Sequence, residues 1–185
     1  MNDTNPHSNE DARRWAWLGL LTAASVVLSL PFSCVAPFAA LVALGGLNME
    51  RRDAFLLAAG VFIANQAVGF GILGYSFKTS TILWGIAMGI GALIAAWAAL
   101  EAAHLTRAKA PALRIAFTFA SAFIAWEAVM AVTRLFLSES GHVIDPNLTG
   151  RILAINAGCF VLLLGLQFLT ERAGIAPHRK PAPHA

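Results

Sequence analysis

Glu127 is the side chain in this sequence best placed to do chemistry, because it interrupts the apolar run AFIAWEAVMAV, where an ionisable group is costly. Arg134 follows seven residues later, two helical turns on and so nearly on the same face. Three amides lie in similar surroundings: Asn65 and Gln66 in the middle of AFLLAAGVFIANQAVGFGILGY, and Asn156 in ILAINAGCF. Each such group, buried separately in lipid, would cost about 1–3 kcal/mol or more, whereas convergent groups satisfy one another or a ligand. The expectation is therefore one outward-opening cavity lined by Asn65, Gln66, Glu127 and Asn156, with Tyr75 and Trp126 as flat apolar walls. Glu127 keeps a second reading, a structural one, in which it is protonated or hydrogen-bonded to Asn65 or Gln66. The polar stretch SESGHVIDPNLTG, with His142 among its side chains, is placed to cap the cavity, and Cys34 sits at a proline-flanked tip, PFSCVAPF, on the same side. A thiolate there would suit a soft metal centre in a cargo.

Other chemistry is thin. Glu101 and His104 form one E-x-x-H, but a di-iron bundle needs two such motifs and two further carboxylates, so the pair reads as the interfacial end of a helix. An enzyme working at that face through Glu101 and His104 is one alternative function. No P-loop, H-E-x-x-H, G-x-S-x-G or C-x-x-C-H occurs, so ATP hydrolysis by this chain, membrane proteolysis, hydrolase chemistry and haem attachment have no residues to carry them. Cys34 and Cys159 have neither metal-ligand spacing nor a disulfide framework; both read as small apolar residues. No cofactor and no resident metal is called for.

The elements that must hold these groups follow from composition. Of 185 residues, 58% are apolar and only 12% charged, which places the chain in a bilayer. Basic residues are scattered through short loops without interleaved aromatics, which excludes a nucleic-acid surface. Six spans are expected, near 15–30, 35–47, 54–75, 80–103, 112–137 and 151–170, between a polar tail at 1–14 and a disordered tail at 172–185. The first two compete with a single broken helix over 15–47. Six spans put ten of the thirteen lysines and arginines on one side and only Lys78, Arg134 and Arg151 on the other, so the expected fold is an all-α six-helix transmembrane bundle with both termini cytoplasmic. The protein is then a multi-pass protein of the cell (inner) membrane.

Small residues recur at intervals of four: Gly19 and Ala23, Ala39 and Ala43, Gly85 and Gly89, and a row through Ala87, Gly91, Ala95, Ala99 and Ala103. In lipid such rows let helix backbones approach closely. They serve packing within the chain or docking onto a partner helix.

Six short glycine- and alanine-rich spans, an N-terminal hairpin with PFSCVAPF at its tip and a long polar outer connection resemble the S components of energy-coupling-factor vitamin transporters. That resemblance implies a substrate-binding component that takes up a vitamin-like small molecule or metal through an outward pocket. It also implies partners: a transmembrane coupling subunit docked through small-residue helix faces, and ATPases that supply the energy. A non-transporting membrane scaffold or assembly protein is the main alternative.

Overall fold

A computed structural model describes residues 6–29, 37–137 and 145–172, with the side chains of 6–11, 28 and 29 left aside. The described residues form six helices: α1 (Pro6–Ser29), α2 (Phe38–Asn48), α3 (Arg51–Gly71), α4 (Thr79–Leu105), α5 (Pro111–Leu137) and α6 (Pro146–Arg172). Helices α3 to α6 are each long and apolar enough to cross a bilayer. Many of their large apolar side chains point outward, as Ile86, Ile90 and Trp97 do on α4 and Val161 and Leu162 on α6. Water is a poor solvent for such a surface and lipid a good one, so the chain is a multi-pass membrane protein.

Six helices form where six spans are expected, but the first two differ from full spans. Helix α1 starts nine residues ahead of Trp15, within the expected tail. Pro6 suits a first turn, since its missing N–H would have no partner there. Helix α2 has 11 residues, a length of about 16 Å, or half a bilayer core. Every residue from Phe38 to Leu47 is buried, and α3, α4, α5 and α6 all pack against it. It is an interior half-helix, and the other elements are arranged around it.

Side-chain contacts fix the direction of each helix. Arg14 bonds Asp53, through Nε at 2.8 Å and through Nη2, tying the early part of α1 to the start of α3. Arg51 bonds Glu101 at 3.0 Å, joining the start of α3 to the end of α4. Arg114, near the start of α5, donates to the Leu47 carbonyl, and Asn48 donates to Gln167 near the end of α6. These contacts gather Arg14, Asn48, Arg51, Glu101, Arg114 and Gln167 at one end of the bundle, here the basic end. Successive helices therefore alternate in direction, and α1 and α2 run antiparallel as two helices instead of one broken helix, with α1 packed on α3. The segment that joins α1 and α2 lies outside the described residues.

Close packing follows the small residues. A Cβ on Gly46 would lie 2.9 Å from the backbone carbonyl carbon of Ala99, so α2 and α4 touch backbone to backbone. Helix α2 runs through Gly45-Gly46 to Asn48, one residue beyond the expected end at 47. Its glycines remove bulk where neighbouring helices press in.

Candidate functional site

Glu127 and Arg134 meet as the two-turn spacing on α5 predicts. Arg134 Nη1 lies 3.4 Å from Glu127 Oε2, and the two side chains are only 15% and 14% exposed. The pair is neutral overall, which lowers the cost of holding it away from water. Arg134 is thus a charge of the helix and not of a loop, which leaves Lys78 and Arg151 as the other basic residues remote from the basic end. The second carboxylate oxygen, Glu127 Oε1, is buried without a hydrogen-bond partner among the described residues.

Gln66 lies on α3 with its amide over Gly85 of α4, where a Cβ would stand 3.5 Å from Nε2. That nitrogen is also buried and without a partner. Asn65 beside it is half-buried. Asn156, 2% exposed, is fully engaged with backbone: Oδ1 accepts from the Ala40 N–H at 3.3 Å and Nδ2 donates to the Ile152 carbonyl at 3.0 Å. Pro37, at the cap position of α2, makes no side-chain cap bond. Asn156 therefore satisfies from α6 a first-turn donor that an ordinary N-cap residue would have served.

Trp126 packs on the same first turn, its ring stacked on Phe38 at 4.8 Å between centroids. Trp126 and Asn156 thus converge at the start of α2. Tyr75 lies at the far end of α3, its ring close over Gly69 and edge-on to Phe70. Gly74, at φ 69°, allows the chain to turn back there. Cys34 and His142 lie outside the described residues.

Gln66, Glu127 and Asn156 each stand about 22–24 Å from the basic-end terminus of their helix, counted at 1.5 Å per residue. They share a depth, but no hydrogen bond joins any two of them. Glu127 is served by its own helix, Gln66 faces α4, and Asn156 holds α2.

The small-residue rows have separate neighbours. Gly85 and Gly89 face α3, with a Gly89 Cβ meeting the Phe62 ring at 3.0 Å, whereas Gly91 faces Trp126 and Met130 of α5. Ala39 and Ala43 are buried inside the bundle. Gly19 and Ala23 are exposed on α1, and nothing lies within 4 Å of a Cβ on Gly19.

Reading by polarity and depth alone passes over the other groups that hold α2. Asn48 donates both to the Leu44 carbonyl and to Gln167, and Arg114 places a cation at the negative end of the α2 dipole. One signal was available: Asn156 and Gln167 are eleven residues apart, three helical turns, and so share a face. At the basic end, Arg51, Leu100, Glu101 and His104 line an open groove of about 340 Å³. Among the described residues no three His, Cys, Asp or Glu side chains come together as a metal site.

No family model matches this chain, and comparisons with curated proteins and with solved structures find no match.

Proposed function

We propose that this protein is the membrane-embedded substrate-binding component of an uptake system, holding a small polar molecule in the half of the bundle remote from the basic end. The supporting observation is that, of four buried side-chain atoms without a hydrogen-bond partner among the described residues, Gln66 Nε2 and Glu127 Oε1 lie at one depth in the half of the apolar bundle remote from the basic end. Buried polar groups ordinarily have partners, and a donor and an acceptor left over are what a ligand with complementary groups would use. The basic end is cytoplasmic on the positive-inside rule, which turns the polar region outward. A vitamin-like molecule or a chelated metal fits that chemistry. Energy comes from partner subunits, since the chain has no P-loop, and the resemblance to energy-coupling-factor S components points the same way.

The filled centre of the bundle favours a second reading, a scaffold for other membrane proteins, because α2 occupies the space a central cavity would need. Mass spectrometry of small molecules extracted from the protein purified out of its native membrane separates the two. One species enriched in the parent and lost in both Glu127→Gln and Gln66→Leu supports binding. Equal contents in all three, with each variant correctly inserted, would put the scaffold ahead.

A further inference from the structure

The groove at the basic end has no part in the site above, and its chemistry is mixed in a specific way. Arg51 opens α3, while Leu100, Glu101 and His104 lie on the last turns of α4. Arg51 spends Nη2 on Glu101 Oε1 at 3.0 Å, and this is its one side-chain bond. Among the described residues, its remaining guanidinium N–H groups, the second Glu101 oxygen and the His104 ring nitrogens have no hydrogen-bond partner. The Arg51 and Glu101 side chains are 63% and 43% exposed, so both can take another ligand. The groove therefore offers unspent donors beside an unspent anionic acceptor.

Its place in the bundle says where a ligand would come from. Ile90, Leu93, Ile94 and Trp97 run along the exposed face of α4 toward it, and each is at least two-fifths exposed. Trp97, Glu101 and His104 are four and three residues apart and so share one side of the helix. An apolar track leads to a polar groove at the level where a membrane surface meets water, with an indole of the kind that anchors there.

We propose that this groove binds the headgroup of a zwitterionic aminophospholipid, phosphatidylethanolamine. The phosphate takes the free guanidinium donors of Arg51 and an imidazole N–H of His104; the primary ammonium donates to Glu101; an acyl chain lies along Ile90, Ile94 and Trp97. A guanidinium fork suits phosphate, and a carboxylate suits an ammonium that has N–H groups to give. Phosphatidylcholine carries no such N–H, and phosphatidylglycerol brings no cation to Glu101. The groove thus distinguishes these lipids by charge pattern and hydrogen bonding, not by net charge.

The test uses the full chain, delipidated in detergent and mixed with phosphatidylethanolamine, phosphatidylcholine or phosphatidylglycerol, with retained lipid counted by native mass spectrometry and thermal melting followed in parallel. The parent should retain phosphatidylethanolamine best and melt highest with it. Glu101→Gln should lower its preference for phosphatidylethanolamine over phosphatidylglycerol by about tenfold, the equivalent of one charge-assisted contact. Arg51→Gln should weaken retention of both lipids while leaving the protein folded. Equal or tighter retention of phosphatidylglycerol by the parent would overturn the proposal in favour of simple attraction to anionic lipid. An unchanged preference in Glu101→Gln, or no retention of any lipid by folded protein, would also overturn it, leaving Arg51 and Glu101 as a surface ion pair.

Discussion

Asn156 spends its whole amide on main chain, one half on its own helix and one on the N–H of Ala40. Replacing it with alanine orphans that buried donor and should cost about 1–3 kcal/mol, seen as a lower melting temperature in detergent. A melt equal to that of the parent would mean the Ala40 N–H finds another acceptor. The pair on α5 gives a sharper contrast. Removing one partner of a buried ion pair strands a charge, at about 3–5 kcal/mol and less for a part-buried pair such as this, whereas removing both leaves no charge to strand. Arg134→Met should therefore melt lower than the double variant Arg134→Met with Glu127→Gln, an inversion that an exposed pair would not produce. At this scale the sequence was half legible. The spacing of Glu127 and Arg134 put them on one face, and there they meet. What Asn156 bonds was not legible, because an amide in an apolar run advertises only that it needs partners; the Ala40 N–H is 116 residues away along the chain.

Helix α2 is the element on which the others depend. Its length and its all-round burial would leave both ends without partners, and three side chains from two neighbours serve them: Asn156 and Gln167 from α6, Arg114 from α5. Glycine lets α4 close on its flank. Gly46→Ala places a methyl group against the Ala99 backbone, which cannot swing aside as a side chain can, and should destabilise by about 1–3 kcal/mol. Gly158→Ala is the control, since nothing lies within 4 Å of the added carbon. It should melt like the parent or slightly above, because alanine holds a helix better than glycine does. Equal losses at both sites would show that backbone freedom, not contact, sets the role of Gly46. The sequence marked where the long helices lie, since runs of some twenty apolar residues have few alternatives. It also put the end of α2 within one residue, at 47 against Asn48, but a Gly-Gly pair does not say which helix crowds against it.

For the whole molecule, the alternation of six helices puts Arg14, Arg51, Arg114 and the end of α6 on one side. Reporter fusions after Arg52 and after Lys109 should behave as cytoplasmic; activity of an externally active reporter at either point would reverse the orientation or break the alternation. Helix α1 packs mainly on α3 and is tied to it by Arg14 and Asp53. Exchanging the two residues, Arg14→Asp with Asp53→Arg, should recover the stability that Arg14→Asp alone removes; failure of that rescue would assign the loss to backbone or lipid effects. The number of helices and the opposite directions of the first two were legible from charge distribution, which responds to the membrane as a whole. The burial of the second helix was not, because its composition matches that of a lipid-facing segment.

The position of α2 also bears on how the chain is made. A ribosome delivers this segment second, yet the groups that complete its two ends lie on the fifth and sixth helices. At 11 residues it is too short to settle across a bilayer by itself. A nascent chain that has not reached Asn156 holds a half-helix lacking two of its three clamps, so the core is locked only once α6 has been made.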